Sequence, residues 1–340
     1  DSSKTAQDIT NMYQHEEKSE NFLDPKEFGL NASSKQIWNK LAGGNTDVQT
    51  MFTGLITDFG NTKDLWTGAA SAGTAGTLGT RKVNAKGLEI NQMATKSKIG
   101  ALSAYNAMNY YLTKDILDGP NGENRANNDN GTLEDGKPYT TMEHKWDEAT
   151  GYTLYDENIL LAKYVRKTKN FNKLLDLFIE GRKAIVQKDY KTRDSVAEQI
   201  KELITEILIQ KATDYVQDGL KALQDSSGVL TGDVSHELSE GWGFLYSLRF
   251  TSKFTAEQSD ELLRMLDGTA YGLWDVTEQT LQPLLLKLRY DYHFKNDNGK
   301  NTVSYSGQQT RILMAKEIHG AFSDSSKTAQ DITNMYQHEE

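Results

Sequence analysis

Apolar side chains recur every three or four residues along most of the chain, which is the spacing that places them on one face of a helix. This spacing predicts an amphipathic helix over residues 46–60 and a much longer helix over 189–223. With only four prolines, the chain has room for long helices. Further helices are predicted over 5–16, from the capping stretch 31–34 to about Leu41, and over 88–117, 156–168, 170–187, about 233–250, 255–266, 275–289 and 308–321.

The segments between these helices read as loops and short hairpins. Residues 68–79 are rich in Gly, Ala, Ser and Thr but lack a phosphate-binding pattern, and 118–138 form a polar loop without a complete calcium motif. A short hairpin is predicted over 81–90 and a two-strand segment within 290–306. No clear domain break is visible, so the fold class is all-α. We expect one domain over 1–340, a helical bundle or two packed bundles with long polar loops.

Charge and composition exclude several classes of protein. The net charge of −10 argues against a nucleic-acid binder, which needs a basic surface to neutralise phosphates. The sequence has no apolar run long enough to form a transmembrane segment. The absence of cysteine excludes disulfides, thiol nucleophiles and zinc–thiolate sites.

Residues 1–17 recur without any change as residues 324–340. Two independent copies would diverge, so the identity indicates one segment met twice. Three accounts fit: a circular permutant with overlapping ends, a window cut from tandem units, or an exchanged segment. His15 and His338 are then equivalent residues.

Two motifs share the skeleton His, three residues, Glu, two residues, Gly, aromatic. Residues four apart lie on the same face of a helix, so each motif presents a His together with a Glu. If the two helices face each other, His144, Glu148, His236 and Glu240 converge as two histidines and two carboxylates. This ligand set suits iron, zinc or manganese, and bundle cores commonly hold such sites.

Other interpretations of the motifs remain open. An i, i+4 His–Glu pair also satisfies a buried histidine between packed helices, with Trp146, Leu238 and Trp242 as ordinary core. Zinc-protease chemistry is disfavoured, because Glu240 stands where the second histidine of an H-E-x-x-H motif would be. Glycosidase chemistry requires two carboxylates across a cleft, and nothing in the sequence places those at Glu143, Asp147 and Glu148 in that way. No catalytic residue is assigned, so enzymatic activity stays undecided.

Several sequence blocks give the chain a resemblance to a known family over almost its whole length. They include Trp-Asp-Glu-Ala at 146–149, Tyr-Ser-Gly-Gln at 305–308 and His236-x-Leu238-Ser239-Glu240. The chain resembles an uncharacterised family of helical proteins, a domain of unknown function from Gram-negative envelopes. In that family the Tyr-Ser-Gly-Gln block lies near the start, so the resemblance implies that the order here is circularly permuted. The family is in turn distantly similar to imelysin-like proteins, a resemblance that implies a pseudo-two-fold bundle and a link to iron acquisition.

These observations lead to two expectations of function. The first is an envelope protein, periplasmic, lipid-anchored to the outer membrane or at the cell surface, that binds a metal ion or metal complex through His144, Glu148, His236 and Glu240. The second is a structural protein that self-associates through its repeated terminal segment. Deletion of the repeated segment separates the two, because loss of assembly with metal binding intact would favour the structural role.

Overall fold

The computed structural model describes residues 3–22, 29–291, 315 and 327–330. Within them the fold is helical, with one small two-stranded sheet. The strands β1 (Gly76–Leu78) and β2 (Arg81–Val83) pair antiparallel. The α-helices are α1 (Ala6–Tyr13), α2 (Thr46–Thr62), α3 (Ile90–Lys98), α4 (Lys114–Asp118), α5 (Glu123–Asn130), α6 (Thr141–Leu154), α7 (Leu160–Val165), α8 (Phe171–Val186), α9 (Tyr190–Asp225), α10 (Gly232–Ser247), α11 (Ala256–Asp267) and α12 (Glu278–Leu286).

The helix α9 is the longest described element, with 36 residues and a length of about 54 Å. Its N-terminus is capped by Asp189, whose side chain accepts a hydrogen bond from the backbone of Thr192. Apolar residues on its inner faces are buried against α8 and α10, and α10 packs on its other side against α3. The three-layer order α9, α10, α3 therefore forms the centre of the core.

The helix α3 continues into two π-helical turns, Ile99–Ala104 and Asn106–Tyr111, before α4 begins. Within this region Gly100 lies against Ser247, whose hydroxyl accepts a hydrogen bond from the Gly100 backbone at 3.1 Å. The predicted single helix over 88–117 is therefore interrupted and widened where it passes closest to α10.

The helix α1 packs against α2 through an aromatic residue, Tyr13. Tyr13 is buried, with its ring 5.7 Å from the ring of Phe52 and 6.3 Å from that of Trp38. The ammonium of Lys98 lies 5.4 Å from the centre of the same ring. The first turn of α1 is closed by a capping box between Thr5 and Asp8. The predicted helix over 5–16 is thus confirmed over its central residues.

Three local predictions are wrong. The segment 31–41 holds parts of two 3₁₀ turns, Leu30–Ala32 and Trp38–Gly44, which are separated from one another because the chain becomes extended at Ser33. Strand β2 pairs with the preceding β1 instead of a following strand. The loop predicted over 118–138 contains α5, which is held by its buried Asn128. The Asn128 amide donates to the Ile185 carbonyl at 2.9 Å.

The chain divides into two units, Asp1–Tyr292 and His293–Glu340. In the second unit the structure describes Ala315, which is helical, and 327–330, where a helix begins at Ala329. The strands predicted within 290–306 and most of the helix predicted over 308–321 lie outside the described residues. No helix in the described ranges is both long and apolar enough to cross a bilayer.

Candidate functional site

The second His–Glu motif lies on α10, one of the most deeply buried helices. Thr231 caps this helix by accepting a hydrogen bond from the Val234 backbone. Glu240 is 7% exposed and His236 is half-buried. Gly243 meets α3 so closely that an added Cβ would lie 2.4 Å from the Cβ of Lys96. The motif therefore faces the protein interior.

His236 stands between two carboxylates. Its Nδ1 is 2.9 Å from Oε1 of Glu89, and its Nε2 is 3.5 Å from Oε1 of Glu240. The ammonium of Lys96 lies 3.0 Å from that same Glu240 oxygen, and Arg81 approaches Glu89. Glu89, Lys96 and Glu240 are all less than a tenth exposed. We call His236, Glu89, Glu240, Lys96 and Arg81 the buried ionic cluster.

The cluster shifts the protonation of its members. The hydrogen bond that His236 donates to Glu89 raises the pKa of His236, against an opposing effect of burial. Burial alone would lower the pKa of Lys96, but Tyr164 and Glu240 together raise it. Burial, followed by hydrogen bonds to Glu240 and Tyr164, raises the pKa of Tyr215. Positive charge is therefore favoured on His236 and Lys96, between the two buried carboxylates.

The first motif lies on α6, and its His–Glu pair is more exposed than that of the second motif. Its Glu143 closes a capping box with Thr140 and pairs with Arg182 at 2.7 Å. Asp147 pairs with the same guanidinium at 3.0 Å. Trp146 is fully buried and donates its indole N–H to the carbonyl of Phe178. These residues explain much of the motif by helix capping and packing.

The remaining residues of the first motif form a surface pocket of about 370 Å³. Nε2 of His144 lies 3.5 Å from Oε1 of Glu148, with both side chains about one third exposed. The imidazole stacks on Tyr139 with ring centres 5.2 Å apart. The exposed Tyr155 completes the pocket. This His–Glu pair is therefore accessible to an external ligand.

The structure keeps the four predicted ligands as two separate pairs. Each histidine faces the glutamate of its own helix, and Glu240 is already engaged by Lys96. No group of three or more His, Asp or Glu side chains within the described residues is arranged to hold a metal ion. One metal bound by all four side chains gains no support from this geometry and stays a prediction.

A larger cavity, of about 530 Å³, lies between α1, α2, α3 and β2, and we call it the groove. Its floor is apolar and aromatic, with Phe52, Ile56 and Phe59 among the lining residues, each less than a tenth exposed. Its volume falls within the range of small-molecule sites, about 300–1,000 Å³. Four cationic side chains also line it: Lys4, Arg81, Lys82 and Lys98.

Two residues of the groove carry buried N–H groups without a hydrogen-bond acceptor in the described structure, Trp66 at Nε1 and Arg81 at Nε. The Nε of Arg81 is 3.7 Å from Oε1 of Glu89, which is an ion pair beyond hydrogen-bond length. A buried donor without a partner costs about 1–3 kcal/mol. An oxygen acceptor on a ligand in the groove would remove that cost.

Sequence reasoning missed the groove and three of the five residues of the ionic cluster, namely Glu89, Lys96 and Arg81. Met93, Lys96 and Ser97 follow helical spacing and share one face of α3, and Glu89 is the N-cap residue directly before this helix. Two opposite charges that flank apolar positions at such spacing are a recognisable signal, because charged residues are rarely buried unless paired. That signal could have identified Glu89 and Lys96.

A family model described as "Domain of unknown function (DUF4856)" matches residues 1–287 and 289–340, which together are nearly the whole chain. No match is found among curated proteins or among solved structures.

Proposed function

We propose that this chain, which belongs to the DUF4856 family of unknown function, is a binding protein for an anionic small molecule with an apolar body. The ligand lies in the groove between α1, α2, α3 and β2. The observation that carries the proposal is the combination of an apolar floor with two buried N–H groups, Trp66 Nε1 and Arg81 Nε, that have no hydrogen-bond acceptor among the described residues.

The apolar floor of the groove would contact the apolar body of such a ligand, and the cationic side chains at its rim would contact the anionic group. Burial of apolar ligand surface against Phe52 and Phe59 contributes about 25 cal/mol per Å². Lys4 and Lys98 stand among the cationic lining residues, in a protein whose net charge is −10. A local positive rim on an acidic protein favours an anion over a neutral or cationic ligand.

The test uses 8-anilinonaphthalene-1-sulfonate, which joins an aromatic body to a sulfonate and fluoresces in apolar sites. We expect saturable binding with one site per chain. Arg81→Gln should weaken it by about tenfold or more, since a hydrogen bond to a charged group contributes about 1.5–3 kcal/mol.

Arg182→Gln is the matched control. Its side chain is 29% exposed, against 33% for Arg81, and it also pairs with carboxylates, but it does not line the groove. Equal weakening by both substitutions, or binding of several dye molecules without saturation, would contradict the proposal.

A bacterial envelope location, expected from the resemblance of the sequence, is part of the proposal. An anionic metal chelate belongs to the proposed ligand class, so a metal complex is kept as a candidate ligand. The expected link to imelysin-like proteins and iron acquisition would fit such a ligand. The groove would hold the organic shell of the chelate without using any of the four predicted metal ligands.

A second candidate function places the metal at the first motif. One observation favours it: the His144–Glu148 pair opens into a surface pocket. Two protein ligands would then complete the coordination of a metal that brings its own ligands. His236 and Glu240 would not take part, because Glu89 and Lys96 already engage them.

Metal analysis by mass spectrometry, on protein purified without a histidine tag, tests this second candidate. Binding at the first motif predicts iron, zinc or manganese that is lost in His144→Ala and retained in His236→Ala. Loss in both variants would instead support the four-ligand site predicted from the sequence.

A further inference from the structure

A further cavity, of about 620 Å³, is lined by residues of α4, α5 and α6 and by the turn that joins α4 to α5, and we call it the α4–α6 pocket. Its volume lies within the range of small-molecule sites, about 300–1,000 Å³. No described residue that lines it also lines the groove or the pocket at the first motif. Its polar lining side chains, beside the aromatic Tyr110, are Asp115, Asn121, Asn124, Thr141 and Lys145.

The α4–α6 pocket holds one carboxylate and one ammonium without a partner of opposite charge. Within the described part of the chain, Asp115 and Lys145 form no ion pair and no side-chain hydrogen bond, either with each other or with a third residue. By contrast, Asp118, one turn further along α4, pairs with the buried Arg193 at 2.7 Å. A simple anion in the pocket would meet the carboxylate, and a simple cation would meet the ammonium. The lining therefore favours a ligand that carries both charges.

The uncharged polar groups of the pocket narrow this class. Asn121 and Asn124 each offer an amide that donates and accepts hydrogen bonds, and the Thr141 hydroxyl also does both. A peptide backbone presents one N–H donor and one carbonyl acceptor per residue, which matches such a lining. Zwitterions with a quaternary ammonium have no N–H group to offer. A peptide with free termini uses the charged and the uncharged groups together.

The turn beside the pocket is fixed in the absence of a ligand. The amide of Asn124 donates to the carbonyl of Ile116 at 3.1 Å. A Cβ added at Gly119 would lie 2.5 Å from Cγ of the same Asn124, so the turn packs tightly against α5. Asn121 has a φ of +52°, in the left-handed region that asparagine adopts more readily than most residues. A site that is already ordered loses little conformational entropy when a ligand binds.

We propose that the α4–α6 pocket binds a short peptide with a free amino terminus and a free carboxyl terminus. The terminal ammonium pairs with Asp115, and the terminal carboxylate pairs with Lys145. Tyr110 is 37% exposed, and its ring is held against Tyr111 with ring centres 4.8 Å apart, so it offers an aromatic surface to a peptide side chain. A cavity of this volume limits the peptide to a few residues. The site is independent of the groove and of its proposed ligand.

Isothermal titration calorimetry of the full chain with three peptides tests the proposal. Trialanine carries both terminal charges, its carboxyl-terminal amide lacks the carboxylate, and N-acetyl-trialanine lacks the ammonium. We expect trialanine to bind at one site per chain, and each capped peptide to bind about tenfold or more weakly, because each loses a hydrogen bond to a charged group. No binding of trialanine at millimolar concentration, or equal affinity for the three peptides, would overturn the proposal.

Two variants assign each terminus of the peptide to its residue. Lys145→Gln should bind trialanine and its amide equally, while it still discriminates against N-acetyl-trialanine. Asp115→Asn should show the opposite pattern. The comparison is a double-mutant cycle between a protein group and a ligand group. Weakening of all three peptides by the same factor in either variant would show that the residue does not contact a terminus, and the proposal would fail.

Lys173→Gln and Asp176→Asn are the matched controls. Both residues are exposed on α8, neither forms an ion pair within the described ranges, and neither lines the α4–α6 pocket. These substitutions make the same changes of net charge, so they should leave discrimination among the three peptides unchanged. If they altered it as much as the pocket variants do, the discrimination would reflect net charge alone and the proposal would be wrong.

Discussion

The Nε atom of Arg81 lies 3.7 Å from Oε1 of Glu89, at the boundary between the groove and the buried ionic cluster. The same Glu89 oxygen is 2.9 Å from Nδ1 of His236. An anionic ligand bound to Arg81 would therefore lie next to the carboxylate of Glu89, which already contacts His236 inside the protein. This relationship joins the second His–Glu motif to a cavity whose cationic side chains suit an anion.

The two motif glycines should respond in opposite ways to alanine. In Gly243→Ala the new Cβ would lie 2.4 Å from the Cβ of Lys96, and overpacking of this kind costs about 1–3 kcal/mol. In Gly151→Ala the new Cβ has open space, so helix propensity should stabilise the protein by about 0.5–1 kcal/mol. Urea unfolding measures both. Equal effects would show that the two motifs have similar environments.

The Lys96–Glu240 pair should behave as a buried ion pair. Lys96→Met removes the ammonium and leaves Glu240 buried without its cation, which costs about 3–5 kcal/mol. Adding Glu240→Gln removes the uncompensated charge, so the double variant should recover much of the loss. The four free energies of unfolding form a double-mutant cycle. A strictly additive cycle would contradict the pairing.

The stability of the protein should fall as the pH rises through the pKa of His236. The hydrogen bond to Glu89 raises this pKa above its usual value of 6.5. The protonated imidazole therefore stabilises the fold fully below about pH 6.5, and this contribution is lost as the pH passes the higher folded-state value. Burial also raises the pKa of Glu237, which adds a loss of the same sign at lower pH.

Thermal unfolding between pH 5 and 9 measures this dependence. His236→Gln should flatten the fall in melting temperature above pH 6, whereas His144→Gln, on the surface of α6, should leave its shape unchanged. A wild-type curve that rises over this interval would have the wrong sign for the assignment.

The sequence predicts the helices that bury a continuous apolar face. The expected limits 189–223 and 46–60 correspond closely to Tyr190–Asp225 and Thr46–Thr62, because local spacing determines these elements. The helix α5 is not predicted because its sequence is almost wholly polar and shows no apolar face. Its buried Asn128 instead forms hydrogen bonds to residues 57 and 62 positions further along the chain, which local spacing does not reveal.

The candidate site was less accessible from sequence. The two His–Glu pairs were identified correctly as i, i+4 neighbours, since helical spacing alone fixes that geometry. Whether the two helices meet is a tertiary property that spacing does not determine. The residues that line the groove come from separate elements, so no local sequence pattern predicts it. They include Lys4, Phe52, Trp66, Arg81 and Lys98.

The most direct test of the central claim compares two probes of the same shape. The anion 8-anilinonaphthalene-1-sulfonate and the neutral N-phenyl-1-naphthylamine share an aromatic body and differ by the sulfonate. We predict that the anion binds at least about tenfold more tightly, and that Arg81→Gln removes this preference while leaving binding of the neutral probe unchanged. Equal affinity for the two probes in the unaltered protein, or a preference untouched by Arg81→Gln, would contradict an anion site in the groove.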